Sequence, residues 1–320
     1  MALLVGCNYP NTPNELHGCH NDVLAMREVL VARFGFDPNH VELLIDKPGS
    51  LTMPTGANIM KALSGMIDQA EPGDVLFFHY SGHGTLIEAR NSSKKEEAIV
   101  PCDFNLITSV DFRQLVNRVP KGATFTILSD SCHSGGLIDK ETEQIGPSSN
   151  PRNGITPPFC KPKEIPFESL LQYFTSLTSK ISTDIGTHLV EVFGSDASLM
   201  FRLPLHELEP ISKPYLKPDQ GILLSGCQAN ETSADVEIME NGRKPCGAFS
   251  NAVQMVLKEK SGPLSNRDIV LMARKILMMK HFNHQHPCLY CSDENADAIF
   301  LSPPQKVRNQ VREKACYILP

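Results

Sequence analysis

Two side chains able to do nucleophilic chemistry stand at the ends of two apolar runs. FTILSDSCHSGG at 125–136 carries Cys132 at the tip of a polar, glycine-rich turn, and DVLFFHYSGHGT at 74–85 leaves His83 between Gly82 and Gly84. A free thiol titrates at about pH 8.5, so it needs an imidazole to take or share its proton before it attacks at neutral pH. His83 precedes Cys132 by about 50 residues, a spacing at which the two meet through the fold and not along the chain. Any single cysteine could instead be an inert core thiol. A glycine-flanked polar turn is a poor place to bury one, however, and His83 has the same setting on a second strand. His133 is set aside because a side chain adjacent to Cys132 points elsewhere, and His79 is assigned to the core.

Strands and helices in alternation have to position this pair. LLVGCNY at 3–9 reads as a buried strand, and a helix follows with Val23, Met26, Leu30 and Phe34 on one face and Gly35 closing it. VELLID at 41–46 is the next strand. Thr55 can cap a second helix whose face is Ile59, Leu63, Met66 and Ile67. The His83 strand comes next, then a charged loop at 90–97, a short strand at AIVPC, a helix with Phe112, Leu115, Val116 and Val119, and the Cys132 strand, which should end before Ser129. Such alternation implies a parallel sheet with helices on both faces, whose active site forms where strands end. Residues 1–140 read as one catalytic half, 141–215 as a linker, and 216–320 as a smaller half that completes the sheet. Within the linker, 146–166 is dense in Pro, Ser and Asn and predicts an exposed, mobile loop, while 167–177 and 184–193 predict short helices packed on the core. GILLSGC at 221–227 and HPCLYCS at 286–292 read as strands around two helices near 252–257 and 269–279.

The 320 residues are 41% hydrophobic and 21% charged, an ordinary globular balance with apolar material for one large or two modest cores. A net charge of −6 and the absence of a Lys/Arg cluster argue against a nucleic-acid partner. Ten cysteines without a disulfide rhythm, one of them the candidate nucleophile, point to a reducing compartment. No run reaches the roughly 18 apolar residues of a membrane span, and no signal-peptide pattern is present. A monomer with no membrane contact, located in the cytoplasm and with the nucleus open to it, is the expectation.

HYSGHGT at 79–85 and SDSCHSGGLID at 129–139 resemble the histidine and cysteine boxes of the metacaspases, cysteine peptidases that share the caspase fold. LVGCNYPNTPNELHGCHNDV at 4–23, EAIVPCDFNLIT at 97–108, GILLSGCQANETSADV at 221–236 and HQHPCLYCSD at 284–293 are similar to the type II branch, in its short-linker, calcium-independent form. The resemblance implies an α/β caspase-like (caspase-haemoglobinase) fold and a cysteine endopeptidase made as a zymogen, with a part in programmed cell death. It implies that the backbone N–H groups of Gly84 and Cys132 form an oxyanion hole, where a glycine lets the substrate carbonyl come close. It also implies that Asp22, Ser81 and Asp130 line the pocket for the residue before the cut. Paired carboxylates there would select Arg or Lys and reject Asp, so the expected partners are proteins or peptides with a basic residue at that position.

The same pocket would accept the chain's own linker, where the resemblance of KPKEIPF favours cleavage after Lys163 over Lys161 or Arg152. An ordinary solvated lysine is the alternative. Relatives that need calcium carry an acidic triplet before the helix, where this chain has Ser109, Val110 and Asp111, preceded by Lys94, Lys95, Glu96 and Glu97. Calcium takes six to eight oxygen ligands, so this cluster, even with Asp139, predicts that calcium is not required and that no cofactor is used. His281, His284, His286, Cys288 and Cys291 offer a rival zinc reading, weakened because only one C-x2-C exists and a strand would point its cysteines to opposite faces. A non-catalytic binding module of the same fold is a further alternative, although a pseudoenzyme would be expected to lose one of the two boxes. An asparaginyl peptidase is disfavoured by the paired acids Asp22 and Asp130.

Overall fold

Strands buried along nearly their whole length need cover on both faces, and four such runs form the middle of the structure. The computed structural model describes residues 1–88, 95–138, 143–146, 160–204, 206–208, 221–228, 231–238, 244–282 and 284–302. β1 (Ala2–Gly6), β2 (Val41–Ile45), β3 (Val75–Ser81), β7 (Thr124–Asp130) and β10 (Gly221–Ser225) run parallel in one sheet. Two short strands, β13 (Cys288–Tyr290) and β8 (Glu143–Ile145), extend its far edge antiparallel, giving the order β2-β1-β3-β7-β10-β13-β8.

Successive residues of a strand face opposite ways, so each strand feeds two cores. Ala2 and Leu4 of β1 join one apolar cluster with α1 (Cys19–Phe34) and two helices of the second half, α7 (Ala248–Glu259) and α8 (Asn266–Met279). Leu3 and Val5 join the other cluster with α2 (Gly56–Asp68) and α3 (Ser109–Arg118). Gly35 ends α1 at φ 67°, and the Thr55 side chain caps α2 by accepting from Asn58 N, both as the sequence predicts.

A third cluster sits beside the sheet. A three-stranded sheet of β4 (Gly84–Glu88), β5 (Lys95–Ile99) and β6 (Ile107–Thr108) contributes Ile87 and Ala98. Three helices, α4 (Phe167–Thr178), α5 (Ile185–Phe193) and α6 (Leu199–Arg202), pack Leu170, Phe174, Leu189 and Phe201 against them. A last small sheet has the order β12-β11-β9, from β9 (Cys160–Pro162), β11 (Ala234–Ile238) and β12 (Lys244–Gly247).

Three expectations change. β7 runs on to Asp130, because Ser129 and Asp130 find buried polar partners that let a strand carry them. Lys95–Glu97 belong to β5 and not to a loop, since Glu96 is met by Ser109 and Arg113 and Glu97 accepts from Gly136 N. Residues 147–159, with Arg152, lie outside the described residues, but 160–166 is not an exposed loop: Cys160–Pro162 pairs with β11 and Lys163 is fully buried.

Asp111 fastens the third cluster to the core. Its carboxylate accepts from Thr108 N (2.8 Å) and Thr108 Oγ1 (3.0 Å) in a capping box, and from Ser198 Oγ and Leu199 N (3.0 Å) at the start of α6. Asp111→Ala would leave several buried donors without an acceptor, at a cost of about 3 kcal/mol. Urea unfolding of the Cys132→Ala chain with and without this change should show that loss, and Asp111→Asn, which keeps one acceptor, should lose less.

Candidate active site

β3 and β7 pair with Ser81 opposite Asp130, and His83 and Cys132 lie just beyond this pair on adjacent strands. His83 is held through its backbone and its ring. Its N–H donates to the Tyr9 hydroxyl (2.9 Å), its carbonyl accepts from the Tyr80 hydroxyl (2.9 Å), and the Tyr9 ring lies 4.8 Å from the imidazole. Its Nε2 lies 2.7 Å from Asn14 O. A carbonyl can only accept, so Nε2 carries the proton and the neutral ring keeps its lone pair on Nδ1. Nδ1 is buried, with no hydrogen-bond partner among the described residues.

Burial lowers the His83 pKa to about 4, only partly opposed by the Asn14 carbonyl. Burial likewise raises the Cys132 thiol above its ordinary range, against the pull of the Ser233 amide. The sulfur accepts from Ser233 N at 3.0 Å and donates to Ser233 O at 3.5 Å. Burial thus favours the thiol on Cys132 and the neutral imidazole on His83.

Lys163 fills the remainder of the site. Its Nζ lies 3.3 Å from Asp130 Oδ2 and 3.5 Å from Asp22 Oδ2, and donates to Ser81 Oγ (2.9 Å) and Asp130 O (3.1 Å). Ser81 in turn donates to Asp22 (2.7 Å), and Gly247 N also reaches the Asp22 carboxylate (2.9 Å). Ser233 Oγ and Ser250 N hold Asp130. A Cβ on Gly247 would overlap Asp130, Lys163 and Asp22 together, so the pocket needs glycine there. The Lys163 backbone is held as firmly. Its N–H donates to Ser233 O (2.9 Å), and its carbonyl accepts from Gly84 N (3.0 Å) and Cys132 N (3.1 Å). A Cβ on Gly84 would strike the Cys132 carbonyl.

Burial raises Asp22 to about 7 even against the neighbouring ammonium. Burial also acts to raise Asp130, but Lys163, Ser233 and Ser250 together hold it below the ordinary carboxylate range. Burial would lower Lys163, and its carboxylates keep it protonated well above the usual value.

The residues expected around Cys132 and His83 therefore converge: Gly84, Asp22, Ser81, Asp130 and Lys163. Lys161 does not share the pocket; its Nζ reaches Glu15 O (2.5 Å). Sequence reasoning missed Ser233, Gly247 and the Asn14 carbonyl. Main-chain atoms leave no mark on residue type, and only the length of the 221–236 block pointed to Ser233. His133 has φ 51°, and its ring reaches Glu164 Oε1 at 3.1 Å, one residue beyond Lys163.

The described acidic residues near α3 are each engaged by other groups. Asp111 is committed to Thr108, Ser198 and Leu199, Glu96 to Ser109 and Arg113, and Glu97 to Gly136 N. Lys94 and Asp139 lie outside the described residues. In the tail, His286 pairs with Glu231 (2.6 Å) and Cys288 donates to His286 O (3.3 Å) with Arg274 beside it. Among the described residues, no group of three or more His, Cys, Asp or Glu could hold a metal ion, and no helix is long and apolar enough to cross a membrane.

The chain is similar over nearly its whole length to a caspase from Spodoptera frugiperda (TM-score 0.51, 10% identity, 95% of this chain and 90% of that one). It is also similar to a protein of Geobacter sulfurreducens (TM-score 0.61, 16% identity, 95% and 99% covered). The fold and the relatives below define a caspase-like cysteine peptidase. Residues 1–141 match the metacaspase, peptidase C14 domain. Metacaspase-9 of Arabidopsis thaliana is 57% identical over 95% of this chain and 97% of its own length, and Metacaspase-6 of the same plant is 37% identical over 94% and 99%. The chain belongs to the metacaspase family, in its type II branch, and its substrates are proteins.

Removing the buried cation tests the electrostatics. With Lys163→Met in the Cys132→Ala chain, both carboxyls lose the charge that lowers their pKa. A carboxyl raised in the folded state binds protons that the unfolded chain releases, so stability falls as pH climbs from about 4 through the folded pKa. Urea unfolding should show the variant below its Lys163 parent by about 3 kcal/mol at pH 8 and by less at pH 5.

Proposed function

We propose that the chain is an endopeptidase that cuts after Lys or Arg with a Cys132–His83 dyad, and that its own Lys163–Glu164 bond is its first substrate. One observation carries this reading: Lys163 seats its ammonium between Asp22 and Asp130 while its carbonyl accepts from Gly84 N and Cys132 N. A segment bound by charge at one end and by two backbone amides at its carbonyl is bound as a substrate would be.

The proposed reaction starts from the uncharged pair. The Cys132 thiol leaves Ser233 O and passes its proton to His83 Nδ1 as the sulfur attacks the Lys163 carbonyl carbon. The electron pair moves onto the carbonyl oxygen, where the Gly84 and Cys132 amides stabilise the charge. The C–N bond then breaks, Glu164 N takes the proton from His83 Nδ1, and Lys163 remains as a thioester. Water, deprotonated by the same imidazole, releases the Lys163 carboxylate and restores the thiol. No step needs a metal ion, and we propose that calcium is not required.

Peptides with Arg, Lys, Asp or Asn before the scissile bond, offered with and without chelator, test the pocket and the dyad. The expected result is turnover of the Arg and Lys peptides alone, lost in Cys132→Ala and unchanged by chelation. Turnover of Asp or Asn peptides would overturn the pocket, and loss of activity on chelation would overturn the metal-free reaction.

A further inference from the structure

Asp235 is a buried carboxylate with no part in the reaction above. It lies on β11 directly opposite Lys161 of β9, beside the strand that leads into the site. Its Oδ2 accepts from His17 N (2.8 Å) and its Oδ1 from Gly18 N (3.0 Å). His17 and Gly18 end the connection between β1 and α1, and that connection supplies the Asn14 carbonyl that holds His83 Nε2. At its start the connection is pinned by Asp46, which accepts from Asn8 N (2.8 Å) and Tyr9 N (2.6 Å). Between the two anchors its turns are closed mainly by its own bonds, Thr12 N to Tyr9 O and Glu15 N to Thr12 O. Where Asn14 O lies therefore depends on a carboxylate at each end. Glu15, the next residue, accepts from Lys161 Nζ, so the connection and the incoming strand also touch directly.

We propose that Asp235 is a positioning residue: by clamping His17 and Gly18 it holds Asn14 O where it fixes the Nε2–H tautomer of His83, and it ties that tautomer to the strand that receives the substrate. The proposal rests on His83 being the base. An imidazole whose proton moves to Nδ1 has no lone pair to offer the thiol, so loss of the clamp acts on the chemical step. Gly18 O also accepts from Asp22 N (3.0 Å) at the start of α1, so a purely structural role for Asp235 would act instead through the basic pocket, on substrate binding.

Nitrogen NMR of the histidine rings in the full, uncleaved Cys132→Ala chain separates the two. The Cys132→Ala parent should show His83 as the Nε2–H form alone, and adding Asp235→Ala should populate the Nδ1–H form. In the otherwise active chain, Asp235→Ala should lower kcat on an Arg peptide about 100-fold with KM little changed. Asp235→Asn, nearly isosteric and keeping one acceptor oxygen, should fall between the two, and it decides the matter if the alanine variant does not fold. An unchanged His83 tautomer in the folded variant, or a loss carried by KM, would overturn the proposal. Full turnover by His83→Ala would instead remove the base reading, while the tautomer measurement still reports whether Asp235 holds the ring.

Discussion

An ammonium group stands fully buried in the protein, and it can do so only because two carboxylates meet it there. Moving such a charge from water costs several kcal/mol, which a close pair offsets only if the remaining donors and acceptors are also satisfied. Lys163 meets both conditions: carboxylate oxygens at 3.3 and 3.5 Å, the Ser81 hydroxyl and the Asp130 carbonyl. The groups that do this come from distant parts of the chain. Asp22 comes from α1, Ser81 from β3, Asp130 from β7, and Gly247 and Ser250 from the join of β12 and α7. Sheet order and helix placement can be read as the means of bringing these groups to one point.

The same enclosure shapes the chemistry. Burial that makes the ion pairs strong also disfavours charge on the sulfur and on the imidazole. In the reaction proposed above, the buried Nδ1 and a thiol resting on Ser233 O let proton transfer accompany attack. In the function proposed above, cleavage after Lys163 and departure of the 160–163 segment leave Asp22 and Asp130 without their cation, to receive the basic residue of another protein.

Much of this was legible in the sequence. Runs such as VLFFHY and FTILS have no polar alternation, which sets them inside a parallel sheet, and each leads into a glycine-bearing turn that displays a reactive side chain. Asp22, Ser81 and Asp130 were visible only through family resemblance, since a lone Asp or Ser reads equally well as a cap. Lys163 was misread. Its neighbours are prolines and lysines, the composition of an exposed loop, and nothing local says that two carboxylates far along the chain await its side chain. Lys95–Glu97 failed in the same way: three charged residues read as loop until Ser109, Arg113 and the Gly136 amide are seen to receive the two acids. Contacts made by main-chain atoms, the Asn14 carbonyl and the Ser233 amide among them, were out of reach altogether.

Intact mass measurement of the purified full-length chain tests the central claim most directly, because it reads which peptide bond the enclosed site has cut. The account predicts a fragment ending at Lys163 and one beginning at Glu164, present in the wild type and in Lys163→Arg and absent from Cys132→Ala and Lys163→Met. A wild-type chain cut after Arg152 or Lys161 with the Lys163–Glu164 bond intact would contradict it.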